Sequence, residues 1–293
     1  MIKFTKMHGL GNDYVYIDCI NQDTYNEQNL AKFISNRHFG VGSDGLILIK
    51  ESKVADFRMQ MFNSDGTEAE MCGNGIRCTG KFIYDKGLSK KEVLKIETLA
   101  GIKELKLNIK DGKVESIRVD MGEPILDYEK IPVKGAKCFK SKENISYYKL
   151  TLPVDKDIKK LTCISMGNPH AVDYVSDVNT VELQRTGKAI ETDTHFPNKV
   201  NVEFIEIVND ENIKMRVWER GTGETLACGT GACASAVSSF LNGYTKRKVT
   251  VELLGGKLEI EWNKENNHVY MTGPAKTVFD GNLYVNCDLK EEI

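Results

Sequence analysis

Phe57-Arg58-Met59-Gln60-Met61, then Glu68, then Cys72-Gly73-Asn74-Gly75: this run recurs 156 positions on as Ile213-Lys214-Met215-Arg216-Val217, Glu224 and Cys228-Gly229-Thr230-Gly231. Upstream, Gly11-Asn12 returns as Gly167-Asn168, and downstream Gly87 returns as Gly243, all without a gap. Further on the register drifts, as loop insertions make it. Ile96-Glu97 and Gly101 match Val251-Glu252 and Gly256, and Met121-Gly122-Glu123-Pro124 matches Met271-Thr272-Gly273-Pro274. So many features in one order at one spacing indicate an internal duplication, and the period is far too long for a solenoid. The expected product is two similar domains related by a pseudo-two-fold axis. Residues 1–120 with 275–293 form the first and 121–274 the second, with the active site in the interdomain cleft.

Each half has the same internal grammar. Residues 56–61 and 213–218 alternate apolar and polar side chains as half-buried strands do, and polar, glycine-containing turns follow them. Residues 76–86 and 232–242 read as helices apolar all round, stopped near Gly87 and Gly243. Alternating segments at 92–99, 103–109, 113–120, 248–254, 257–262 and 267–271 read as antiparallel strands. The expected fold class is therefore α+β, each domain a mostly antiparallel sheet wrapped around a central helix.

Of 293 residues, 41% are hydrophobic and 28% charged, too apolar a mix for disorder. With 40 Lys+Arg against 42 Asp+Glu there is no global field to attract nucleic acid or anionic lipid. The start, Met1-Ile2-Lys3-Phe4-Thr5-Lys6-Met7-His8, lacks the apolar core of a signal peptide, and no stretch approaches the roughly 20 apolar residues of a membrane span. A cytoplasmic protein acting without nucleic acid or membrane is expected. The eight cysteines should then be thiols, and none stands in a C-x-x-C pair, so no metal site is expected. Cys19, Cys78, Cys138, Cys163, Cys233 and Cys287 read as small core residues.

Cys72 and Cys228 differ from these in matched position and glycine context. Each stands where a turn meets a helix, a place whose partial positive charge and unpaired N–H groups lower a thiol's pKa and bind oxyanions. Gly73-Asn74-Gly75 and Gly229-Thr230-Gly231 are expected to form anion-binding nests beside them. One nucleophilic cysteine needs only one such motif, whereas two equivalent motifs suit a symmetric reaction. Inverting a stereocentre takes a base on one face and an acid on the other, one thiolate and one thiol titrating as a coupled pair.

Four stretches carry a family resemblance: Lys6-Met7-His8-Gly9-Leu10-Gly11-Asn12-Asp13, Phe62-Asn63-Ser64-Asp65-Gly66 through Cys72 to Cys78, Gly167-Asn168-Pro169-His170, and Trp218-Glu219-Arg220-Gly221-Thr222-Gly223-Glu224-Thr225-Leu226-Ala227-Cys228-Gly229-Thr230-Gly231. Over essentially its whole length the chain resembles the diaminopimelate epimerases, and the run at 219–231 is highly specific. The resemblance implies a cofactor-independent enzyme that interconverts LL- and meso-2,6-diaminopimelate, on the path to lysine and cell-wall peptide, with a homodimer as the expected assembly. Cys72 and Cys228 would be its bases, supported by His170 and Glu219. Asn12, Asn63, Asn168, Asn201, Glu219 and Arg220, with backbone donors at Gly73-Asn74 and Gly229-Thr230, would hold the substrate. An arginine suits a carboxylate because its guanidinium makes paired hydrogen bonds of fixed geometry. Gly45 departs from the pattern: some relatives carry Gln there, so a side-chain contact from this position is lacking. Gly40-Val41-Gly42-Ser43-Asp44-Gly45 also fits G-x-G-x-x-G, but it precedes a strand-like run instead of opening a helix, which excludes a dinucleotide site. The competing readings are another amino-acid racemase, a thiol redox or metal-sensing protein, and a noncatalytic amino-acid-binding module.

Overall fold

The computed structural model describes residues 1–284; Cys287 lies outside them. The chain forms two compact units, Met1–Val119 with the segment that begins at Gly273, and Asp120–Thr272. In the first, β1 (Ile2–Gly9), β2 (Asn12–Asp18), α1 (Glu27–Ser35), β3 (Gly45–Lys50), β4 (Phe57–Asn63), β5 (Glu68–Ala69), α2 (Gly73–Asp85), β6 (Val93–Thr98), β7 (Gly101–Lys110) and β8 (Lys113–Asp120) follow in order. The second runs through β9 (Lys137–Lys140), β10 (Ser146–Val154), β11 (Asp157–Ser165), β12 (Pro169–Tyr174), α3 (Leu183–Glu191), β13 (Asn201–Asn209), β14 (Asn212–Glu219), β15 (Gly223–Glu224), α4 (Gly229–Leu241), β16 (Lys248–Leu253), β17 (Gly256–Trp262) and β18 (Val269–Pro274). A last strand, β19 (Lys276–Leu283), lies antiparallel to β1 in the first unit, as β10 lies antiparallel to β11 in the second.

The duplication is visible in the strand register. Pairing is mostly antiparallel, and the parallel joints fall at matching places: β2–β3 and β4–β6 in one unit, β12–β13 and β14–β16 in the other. Tyr14 stands opposite Gly45 as His170 stands opposite Asn201, and Phe57 opposite Ile96 as Ile213 opposite Val251. Each unit is the expected sheet with a central helix. α2 packs on β1, β2 and β7, and α4 on β11, β12, β13 and β17.

Both central helices begin three residues earlier than apolar periodicity indicates. Their first turns are Gly73-Asn74-Gly75 and Gly229-Thr230-Gly231, with Cys72 and Cys228 as N-caps. Glycine is a poor helix former, yet the first turn lacks intrahelical acceptors for its N–H groups in any case, so the apolar pattern starts only at Ile76 and Ala232. The expected nests are therefore helix starts. The helices stop at Gly87 and Gly243, whose φ of 78° and 77° is the left-handed conformation that glycine adopts without a steric cost.

A second helix in each unit, α1 and α3, is not announced by the sequence pattern. α1 buries only Leu30, Ala31, Ile34 and Ser35. α3 carries Gly187 in its middle, where an added Cβ would stand 2.6 Å from Cβ of Trp218. Tertiary packing, not propensity, makes these two short helices. They cover the sheet face opposite the central helix: Leu46 and Leu48 cluster with Leu30 and Ile34, and Val202 and Phe204 with Leu183 and Ile190. The alternate residues Ile47 and Glu203 then point to α2 and α4, a consequence of the two-residue period of a strand.

Among the cysteines read as core residues, Cys78, Cys163 and Cys233 are buried, and burial pushes the first two thiols up to about 11 and about 12. Cys19 is half-buried. Cys138 is exposed, against expectation, because β9 is a four-residue strand with every residue exposed. Among the described residues no helix is long and apolar enough to cross a membrane.

Candidate active site

In the first unit the Cys72 sulfur accepts the N–H of Gly75 at 3.4 Å, closing the cap of α2, and its S–H donates to Oδ1 of Asn12 at 3.1 Å. Asn12, at the start of β2, is oriented from behind: its Nδ2 donates to Asp44 at 2.8 Å, and Asp44 pairs with Arg37 at 2.9 Å. Asn74 reaches the same Asn12 oxygen at 3.5 Å. The wholly buried Arg77 ties the helix start together by donating to Gly73 O at 3.0 Å, Asn74 Oδ1 at 2.9 Å and Pro274 O at 3.2 Å. Tyr14 lies against this cluster; burial, then the neighbouring Cys72, pushes its phenol well up. Asn63, at the exposed end of β4, is held by Thr67 at 3.0 Å. Gly45 has no space for a longer residue here, since its Cβ would stand 2.2 Å from the carbonyl oxygen of Phe62.

In the second unit Cys228 caps α4 in the same way, accepting the N–H of Gly231 at 3.4 Å, with Thr230 Oγ1 at 3.5 Å. The surroundings are richer in charge. His170 is fully buried on β12, with Nε2 3.0 Å from Oδ1 of Asn168 and Nδ1 2.7 Å from Oε1 of Glu203. Glu219 accepts the hydroxyl of Thr225 and lies beside the Cys228 thiol. Asn201 is locked by donating to Pro169 O and accepting from Arg220 N, both at 2.9 Å. The Arg220 side chain is exposed, with one guanidinium nitrogen on Asn198 O at 3.0 Å.

The electrostatics depart from expectation at Cys228. Burial, then the charges of Glu219 and Glu203, pushes its thiol well above the ordinary value, outweighing Thr230 and the helix N–H of Gly231, which pull it down. Burial reinforced by Glu203 likewise pushes the Glu219 carboxyl up. The helix N-terminus lowers a thiol only when desolvation does not win.

Asn12, Gly73 and Asn74 thus gather around Cys72, and Asn168, His170, Glu219, Gly229 and Thr230 belong to the neighbourhood of Cys228. Glu203 is the residue that sequence reasoning missed. Its signal was a carboxylate in the apolar run Val202-Glu203-Phe204-Ile205, where a charge has to find a buried partner.

A sheet around a central helix, built twice, is a known fold. A solved phenazine biosynthesis protein of the PhzF family from Bacillus anthracis superposes with a TM-score of 0.69 at 19% identity, over 97% of this chain and 99% of that one. Within that fold the family is settled by sequence. The diaminopimelate epimerase family model matches residues 4–126 and 162–278. A diaminopimelate epimerase of Acetivibrio thermocellus is 56% identical over 97% of this chain and 99% of its own. One from Methanococcus maripaludis is 57% identical over 96% and 99%. The chain belongs to the diaminopimelate epimerase family, a family of enzymes.

Proposed function

We propose that this protein interconverts LL- and meso-2,6-diaminopimelate without a cofactor, using Cys72 and Cys228 as its two acid–base groups. The observation that carries this is the repeated N-cap: each sulfur stands at the start of a mostly buried helix, 3.4 Å from the N–H of the third residue on. Inversion needs a base on one face of the α-carbon and a proton donor on the other, and the two halves supply one thiol each. A thiolate alone is too weak a base for an α-hydrogen. The carbanion has to be stabilised, and the N–H groups of the first helical turns are suited to the substrate carboxylate on which that charge spreads. Asn12, Asn63, Asn168, Asn201, Glu219 and Arg220 bind the amino and carboxylate groups, and His170 supports Cys228. The proposal extends to a cytoplasmic homodimer on the path to lysine and peptidoglycan precursors.

The test is incubation of reduced protein with LL-diaminopimelate in D2O, followed by NMR and chiral chromatography. Deuterated meso product that disappears in Cys72→Ala and Cys228→Ala is the expected result. No exchange and no inversion, with the protein folded and both thiols free, overturns it.

A further inference from the structure

The two halves place different residues at equivalent positions around their cysteines. Where the first unit has Tyr14, Ile47 and Asn63, the second has His170, Glu203 and Glu219, each 156 positions on. The contrast is sharpest beneath the first helical turn. A Cβ on Gly75 would meet Cδ1 of Ile47 at 2.8 Å, and a Cβ on Gly231 would meet Oε1 of Glu203 at 2.7 Å. The first turn of α2 therefore rests over a methyl group and that of α4 over a carboxylate.

Glu203 is completely buried. Oε1 is held by His170 at 2.7 Å, while Oε2 has no hydrogen-bond partner among the described residues. A buried carboxylate oxygen left unpaired costs stability, so its retention calls for a functional reason. The Cys228 sulfur lies 3.3 Å from the Cβ position on Gly231 that Oε1 approaches, which puts sulfur and carboxylate inside the ~6 Å range over which a like charge opposes ionisation. The titratable groups facing Cys228 are Glu219 from β14, Glu203 from β13 and, behind Glu203, His170 from β12. Around Cys72 they include Tyr14 and Tyr16 from β2 and Cys78 and Arg77 within α2, with Asp44 behind Asn12.

We propose that Glu203 is a positioning residue that breaks the equivalence of the two halves, holding the proton on Cys228 so that Cys72 is the first of the two thiols to ionise. This rests on the reading of the two cysteines as an acid–base pair, and it goes further by assigning the order in which they ionise. Glu203 acts through Cys228 and His170, not on the substrate.

The test is alkylation of the full-length, ligand-free protein by iodoacetamide across pH 5.5–10, with the Cys72 and Cys228 peptides quantified separately by mass spectrometry. Half-maximal alkylation of Cys72 is expected at lower pH than that of Cys228. In Glu203→Gln the Cys228 midpoint should fall by at least about one pH unit, roughly tenfold more thiolate at a fixed pH below it. The Cys72 midpoint should stay in place, and Glu203→Asp, which keeps the charge, should leave Cys228 high. A Cys228 midpoint at or below that of Cys72 in the unmodified protein overturns the proposal, as does a Glu203→Gln midpoint that does not move. The first comparison needs no variant to fold, and none of these readouts needs turnover, so a failed epimerase assay is distinguishable from a failure here.

Discussion

Replacing either capping cysteine by serine should make the protein slightly more stable and nearly inactive. Both sulfurs close their helices by accepting a backbone N–H at 3.4 Å. Sulfur is a weak acceptor, whereas the serine hydroxyl is among the preferred N-caps, and losing such a cap altogether costs about 1 kcal/mol. Half of that, about 0.5 kcal/mol, is the expected gain per site, or about 1–2 °C in Tm for a protein of this size. At Cys228 the buried hydroxyl finds Gly231 N and Thr230 Oγ1, so it is not stranded. Chemistry moves the other way. A serine hydroxyl does not ionise near neutral pH, and loss of one acid–base group should cut α-hydrogen exchange by about 10²–10⁴-fold. Calorimetry or urea unfolding, beside exchange into D2O, measures both quantities on Cys72→Ser and Cys228→Ser. If both variants lose more than about 1 kcal/mol, or keep exchange within tenfold, the assignment of these residues as helix caps traded for catalysis is refuted.

Gly231→Ala should cost about 1–3 kcal/mol by overpacking, because its Cβ meets an oxygen fixed by His170, and unfolding titrations should show a smaller cost for Gly75→Ala, whose Cβ meets the end of a flexible isoleucine. At Asp13, burial opposes the charge, but hydrogen bonds from Arg37 and Lys6 outweigh it and hold the carboxyl below its usual range. Its contribution is thus fully present above the unfolded value near 4 and is lost as pH falls through the folded one. With Arg37 largely exposed, that contribution is about 1 kcal/mol, so unfolding curves of Asp13→Asn and the unmodified protein should differ by this amount at pH 6 and converge toward pH 2.

Much of this molecule was readable along the chain. Strand period, glycine stops and a repeat at constant spacing are local or pairwise properties of a sequence, and they sufficed for the α+β class, the two similar halves and the placing of Cys72 and Cys228 at helix starts. The short helices α1 and α3 were not legible, because four or five buried residues and, in α3, a mid-helix glycine carry no helical signal of their own. They exist because Leu30 and Ile34, or Leu183 and Ile190, cover an otherwise bare sheet face. The repeat also suggested two equivalent thiols. Only the tertiary structure could decide otherwise, since ionisation depends on which side chains arrive from other strands. Glu203 is 25 residues from Cys228 along the chain, yet strand pairing carries it under Gly231, where it pushes the thiol up, while Ile47 brings no charge to the matching place. Sequence determined that the same structure is built twice; burial and long-range packing decided that the two copies differ in charge.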